Sequence, residues 1–324
     1  VTKARTSPAA TITLAIAAAG AAALAWGTLV ERTRWTLRRV EVPVLPPGAE
    51  PIRVLHLSDL HMAPWQREKQ EWVRSLADLQ PDLIVDTGDN LGHERGIDGI
   101  RRAFERFRGV PGVFVNGSND YFGPVGKNPF LYFAGPSRLG PRAKALDITE
   151  LHDYFAELGW HDLDNTAAAL ELRGTHFEFF GVDDPHRGYD RLDLITAAID
   201  ELRADDPLGD ETWPDAASTA RRPTVTVGVT HAPYQRVLNS FVNHGAQLML
   251  AGHTHGGQVC LPGFGALVTN CDIPRDQVKG LSVWRHGLRA AFLNVSAGLG
   301  TSIYAPVRFA CPPEATLLTL VPTE

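Results

Sequence analysis

Two histidines, His253 and His255, end the run Leu248-Met249-Leu250-Ala251-Gly252-His253-Thr254-His255-Gly256-Gly257-Gln258, where an apolar stretch gives way to glycines. Imidazoles so spaced hold a divalent cation or, as ordinary turn residues, bond to backbone. The pattern recurs elsewhere in the chain. Asp59 and His61 follow the apolar run 52–57, and Asp89 follows 82–86. Asn119 and Asp120 follow 112–115, and His231 follows 224–229. Together Asp59, His61, Asp89, Asn119, His231, His253 and His255 offer seven oxygen and nitrogen ligands and no sulfur. That exceeds the need of one tetrahedral zinc and suits two borderline or hard divalent ions that share a carboxylate.

Residues so far apart act together only if the fold gathers them. Each apolar run has strand length and ends in turn residues. Helical spacing is expected over 66–80 and 97–107, between the first three runs. Strand-helix-strand alternation predicts parallel pairing through crossovers, which puts ligands beyond the carboxyl ends of the strands. A hairpin is expected over 169–172 and 175–182, a helix over 190–203, and strands over 290–295 and 315–321. Asp183-Asp184-Pro185-His186, just after a strand, can reach the cleft from its rim. The Gly- and Pro-rich 122–145 reads as a lid or substrate wall, and 204–222 as a polar surface insertion. No internal repeat is visible.

With 324 residues, 44% of them hydrophobic, the chain can bury the core of one large α/β domain. A formal net charge of -6 gives no electrostatic case for nucleic acid as a partner. Cys260, Cys271 and Cys311 are odd in number and lack C-x-x-C spacing, which argues against a disulfide framework or a cysteine zinc site. A single Cys260–Cys271 bridge stays open. Residues 9–30 carry no charge, long enough as a helix to cross a hydrocarbon core of about 30 Å. A cleaved signal peptide with Ala23-Leu24-Ala25 at its cleavage site is the competitor. The apolar length exceeds the usual ~7–15 residues of such peptides, which favours an uncleaved single-pass anchor in the cell membrane. Lys3 and Arg5 precede this helix and Arg32, Arg34, Arg38 and Arg39 follow it, so the side of the catalytic domain stays open. The expected organisation is a tail (1–8), a transmembrane helix (9–30), a linker with a first strand (31–50) and one domain (51–324).

The ordered motifs D-x-H (59–61), G-D (88–89), G-S-N-D (117–120), H-x-P (231–233) and G-H-T-H-G-G-Q (252–258) resemble the calcineurin-like metallophosphoesterases, in the branch with an N-terminal membrane segment. The resemblance runs from residue 52 to the end. It implies an α/β fold, a four-layer sandwich of two mixed β-sheets packed face to face with helices on both outer faces. It also implies hydrolysis of a phosphate ester or pyrophosphate by metal-bound hydroxide, with no covalent enzyme intermediate. Carried over by residue, it assigns Asp59, His61 and His255 to one metal and Asn119, His231 and His253 to the other, with Asp89 bridging. Manganese, iron and zinc all suit these ligands. The implied substrate is a phosphorylated small molecule or lipid; the oligomeric state is open.

One motif departs from the family, which reads G-N-H-D or G-N-H-E, with Asn as ligand and His helping to protonate the leaving group. Here Gly117-Ser118-Asn119-Asp120 stands in its place. Without a gap, Ser118 takes the ligand position and Asn119 the histidine's. With one residue inserted, Asn119 is the ligand and Asp120 the candidate acid, a register favoured because an amide oxygen suits a hard cation. His93, just past Gly88-Asp89-Asn90, is a candidate substrate contact. His56, mid-strand, reads as a core residue, and His152, His161, His176, His244 and His286 as packing or surface residues. The altered motif leaves a second function open, a catalytically weak metal-binding protein that senses phosphorylated ligands.

Overall fold

The structure, a computed structural model, describes residues 7–125, 144–204, 223–301 and 305–324. Helix α1 (Pro8–Leu29) begins at Ser7, whose hydroxyl accepts the Ala10 N–H, with proline in the first turn. The chain then enters β1 (Thr36–Leu45), β2 (Ile52–Leu57), α2 (Arg67–Ser75), β3 (Leu83–Asp86), α3 (Ile97–Phe104) and β4 (Gly112–Phe114). A one-turn α4 (Ser118–Tyr121) precedes α5 (Thr149–Leu158) and β5 (Trp160–Asp162). The second half runs β6 (Ala167–Leu172), β7 (Thr175–Val182), α6 (Ile195–Ala204), β8 (Thr224–Thr230), α7 (Gln235–Asn243) and β9 (Leu248–Ala251). It closes with β10 (Cys260–Leu261), β11 (Gly265–Ala266), β12 (Gly280–His286), β13 (Arg289–Val295) and β14 (Glu314–Pro322).

Two six-stranded mixed sheets result, ordered β1-β14-β2-β3-β4-β5 and β12-β13-β9-β8-β7-β6. Alternation along each strand decides the layers. Val54, Val85, Val113 and Phe179 point into a core between the sheets, shared with Val227 and Leu250. Their neighbours Leu55, Ile84 and Phe114 face the other way, onto α2, α3 and α5 through Val73, Phe104 and Phe155. Phe180 and Met249 meet α6 and α7 through Ile199 and Phe241. Three apolar seams separate helices, sheet, sheet and helices, the four layers expected from the resemblance. Each fully buried Leu or Phe contributes about 1.5–3 kcal/mol.

The segment 31–50 carries the first strand. β1 pairs in parallel with β14 from Thr36↔Glu314 onward, and Arg38 makes a two-pronged ion pair with Glu314 at 2.7 and 2.8 Å. Helix 66–80 is shorter than its spacing suggests, since after Ser75 it tightens into a 3-10 turn over Leu76–Leu79. Most of 122–145 and nearly all of 204–222 lie outside the described residues, and so do the first six residues of the tail.

His56 is a polar link across the inner seam. Its ring is buried in β2, with Nε2 3.0 Å from Thr87 Oγ1 at the end of β3 and Nδ1 accepting from the Asn294 amide of β13 at 2.9 Å. Burial pushes its pKa down from 6.5 to about 3. Between those values the unfolded chain binds a proton that the folded chain refuses, so stability falls as pH drops, by about 1.4 kcal/mol per unit. His56→Leu should remove that slope. Urea unfolding at pH 7 and pH 5 should show the stability difference between wild type and variant changing by about 2 kcal/mol in the variant's favour at pH 5; an unchanged difference rules out a neutral buried ring.

Candidate metal centre

The polar residues that follow β2, β3, β4, β8 and β9 meet where the two sheets' carboxyl ends face each other. Backbone bonds knit the turns: Asp59 N–H to Gly88 O (2.8 Å), His61 N–H to Asp89 O (2.9 Å), Gly252 N–H to His231 O (2.8 Å) and Gly300 N–H to Asp59 O (2.7 Å). Asp59, His61, Asp89, His253 and His255 all sit in the left-handed region, with φ of 50°, 40°, 56°, 67° and 51°. Such backbone costs about 1–2 kcal/mol per non-glycine residue and persists only where the surroundings over-determine it. Close approach needs glycine at Gly252, where a Cβ would lie 1.9 Å from Ser58 Oγ and 2.6 Å from Asp59 Oδ2.

Asp89 stands between two groups of ligands. Its Oδ2 lies 3.6 Å from His61 Nε2 and its Oδ1 3.6 Å from His231 Nε2. On the first side, His61 Nε2 and His255 Nε2 are 3.1 Å apart, and His255 Nε2 is 3.5 Å from Asp59 Oδ1. Asp59, His61 and His255 form one group whose ligand atoms lie within 4.8 Å of one another; Asp59, Asp89 and His231 form another. His253 joins the second side through its ring, centred 5.2 Å from that of His231.

Neighbouring groups leave the right atoms free. Asp59 Oδ2 accepts from Ser58 Oγ (2.6 Å) and His253 N–H (3.0 Å), and Oδ1 is buried with no partner. His231 Nδ1 donates to Thr87 O at 2.7 Å, leaving buried Nε2 without a partner. His253 Nε2 is engaged by Asn270 O at 3.1 Å, which leaves Nδ1 as the nitrogen that could bind a cation. Hydrogen bonds of this kind fix the tautomer and aim of metal-binding imidazoles. Burial holds His61 down at about 4 and pushes His253 and His255 well below the usual range, which keeps these rings neutral, the form that can bind a cation. Burial also raises Asp59 to about 6, with Asp89 adding to the shift. His231 is opposed by burial, yet Asp89, Asp59 and Asp184 hold it up at about 9. Buried carboxylates and orphaned nitrogens this close call for positive charge, and the donor set fits two divalent cations sharing Asp89.

The Gly117–Asp120 turn behaves differently from the expectation. Asn119 donates to Asp89 through its backbone N–H, onto Oδ1, and through its side-chain nitrogen, onto Oδ2, both at 2.7 Å. Its amide nitrogen, not its oxygen, faces the centre. Asp120 is buried, and its carboxylate accepts the N–H groups of Asp89 (2.8 Å), Asn90 (2.8 Å), Leu91 (3.2 Å) and Gly117 (2.9 Å). Its two oxygens thereby position the Asp89 turn, while burial pushes its pKa up to about 8. His93 is half-buried, edge-on to Trp65 with ring centres 5.0 Å apart, its Nδ1 accepting from Arg95 N–H.

Two supporting residues give no motif in the sequence. Arg308 is wholly buried, its guanidinium donating to the carbonyls of Ala297, Gly298, Gly300, His255 and Cys311 and lying 3.3 Å from His255 Nδ1. Lys69, buried on α2, donates to Leu60 O at 2.5 Å and His61 O at 3.4 Å. The three cysteines are free and buried, and Cys260 and Cys311 both bond to Gly256 O at 3.4 Å.

The chain belongs to the calcineurin-like phosphoesterase family, whose model matches residues 52–257. It is therefore a metallophosphoesterase, a hydrolase of phosphoric esters. An uncharacterized metallophosphoesterase of Aquifex aeolicus (strain VF5) is 24% identical over 87% of this chain and 89% of its own length. A transmembrane protein with metallophosphoesterase domain from Danio rerio is 26% identical over 68% of this chain and 44% of its own length. Of the solved structures, TT1561 of Thermus thermophilus superposes with a TM-score of 0.40 at 15% identity, covering 77% of this chain and 91% of that one.

The role of Asp120 can be read from stability. Asp120→Ala strips the acceptor from four buried N–H groups, each worth about 1–3 kcal/mol when left unsatisfied, so urea unfolding should show a loss of at least ~3 kcal/mol. Unchanged stability with a loss confined to kcat would give the carboxylate back its acid role.

Proposed function

We propose that this metallophosphoesterase works with two divalent cations, manganese, iron or zinc, and acts on a phosphorylated substrate at a membrane surface. Asp59, His61 and His255 would hold the first cation, His231 and His253 the second, and Asp89 both. One observation carries this reading: the two oxygens of Asp89 each lie 3.6 Å from an imidazole nitrogen, one belonging to each side of the centre. Two such cations supply a water of lowered pKa and neutralise phosphoryl oxygens during in-line displacement.

The protein's own groups set the limits of that chemistry. Asn119 ties Asp89 to the Gly117 turn and has no proton to lend a leaving group at neutral pH. General acid catalysis is worth about 10²–10⁴-fold, so aryl phosphates and pyrophosphates should be turned over far better than alkyl phosphates. The membrane part of the reading rests on α1, whose 22 residues are uncharged and span about 33 Å at 1.5 Å per residue. The chain's likeness to a transmembrane relative supports it. A lipid-linked or cell-envelope phosphate is the substrate such an anchor would serve. The altered Gly117–Asp120 turn favours a second reading, a metal-binding sensor of phosphorylated ligands.

Purified protein reconstituted with manganese should hydrolyse aryl phosphate mono- or diesters and lose activity with chelator. Asp89→Ala should lower kcat/KM by about 10³-fold or more, ~4 kcal/mol of barrier. Full occupancy by two ions without turnover, unaffected by Asp89→Ala, would leave the sensor standing. In membrane fractionation the full chain should resist extraction with alkaline carbonate, and a chain lacking residues 1–30 should not; equal release of both would remove the anchor.

A further inference from the structure

The turn that departs from the family motif has a partner in the opposite sheet. Ser118 Oγ donates to Asp184 Oδ2, and Asp184 Oδ1 accepts the His186 N–H at 2.8 Å. Asp184 is wholly buried, and among the described residues no Lys or Arg pairs with it. A buried carboxylate held by neutral donors, with no Lys or Arg beside it, is stabilised by added positive charge. Its place in the fold matches that of the other ligands. Val182, the last residue of β7, pairs with Thr230, which directly precedes His231, so Asp184 leaves its strand beside the second half of the centre. Gly117, next to Ser118, is so close that a Cβ there would lie 2.4 Å from Asp89 Oδ1 and 2.8 Å from His231 Cε1. Ser118 and, through it, Asp184 thus stand on the Asp89–His231 side of the centre, where His231 Nε2 is buried without a hydrogen-bond partner. The His186 ring, 4.8 Å from that of His253, closes the far side.

We propose that Asp184 is a ligand of the second cation, completing the set Asp89, His231 and His253, with Ser118 holding the carboxylate in place. The chain then needs no ligand amide in the Gly117–Asp120 turn: serine gives up direct ligation and a carboxylate from β7 supplies the oxygen. The exchange puts one more negative charge on the centre than an asparagine would, which strengthens binding of hard cations such as manganese. The inference rests on the two-cation reading above.

The test is metal binding, read without turnover. The full chain in detergent, stripped of metal and titrated with manganese, should bind two ions and give the spin-coupled resonance spectrum of a manganese pair. Asp184→Asn, which keeps shape, should weaken the second ion at least tenfold and convert the spectrum to that of isolated manganese. Asn119→Ala should keep two ions. If Asp184→Asn folds poorly by circular dichroism, Ser118→Asn combined with Asp184→Ala replaces it, and that pair should recover the second ion that Asp184→Ala alone loses. Two ions of unchanged affinity in Asp184→Asn, or loss of the second ion in Asn119→Ala instead, overturns the assignment of Asp184 alone. A wild-type chain that binds one ion overturns the dinuclear reading with it.

Discussion

Asp89 is the group on which the two halves of the molecule converge. It lies in the turn after a strand of the first sheet, yet one of its oxygens faces His231, which directly follows a strand of the second. A buried carboxylate is stable only if charge and donors surround it, and here they come from both sheets and from Asn119. This requires the carboxyl ends of β3 and β8 to face each other within a few ångströms, which fixes how the sheets pack. Asp59 makes the same crossing by accepting the His253 N–H at 3.0 Å. The left-handed backbone at five of the proposed ligands follows from this convergence: each turn must reverse direction at once to aim its side chain inward, and the strain is held by bonds both between the turns and within them.

Strands buried on both faces are near-continuous apolar runs, so 52–57, 83–86, 224–230 and 248–251 stand out in the sequence, and their polar ends mark the centre. Edge strands lack that mark. β12 alternates buried Trp284 with exposed neighbours, and β5 is three residues long, so neither shows as a run. The pairing of β1 with β14 joins residues 278 apart in sequence, a contact no local pattern encodes. Support residues were illegible for the same reason. Arg308 and Asn294 look ordinary until the fold brings one to His255 and the other to His56. Asp120 was legible as a residue near the chemistry, but its hold on four backbone N–H groups becomes visible only once the Asp89 turn is folded against it.

The helix Pro8–Leu29 is not hung on the domain by a slack tether. Arg308, whose side chain holds the His255 and Gly298 carbonyls, donates its backbone N–H to Gly27 O at 3.1 Å. A Cβ at Gly27 would lie 2.6 Å from Arg308 O, so any larger residue there would part helix and domain. Glu31 adds a second fastening, accepting from the Trp26 indole at 2.9 Å and from the Cys311 N–H at 2.6 Å, while Cys311 Sγ reaches His255 O at 3.5 Å. Trp35 adds a third, donating to Leu299 O at 3.2 Å. A flexible linker of n residues lets its ends wander over about 5–6 Å × √n; this junction is bonded at nearly every step. On the anchored reading the centre is therefore held at a fixed depth and angle to the bilayer. A substrate would have to present its phosphate at that depth, which a phosphate carried on a lipid does without further cost in orientation.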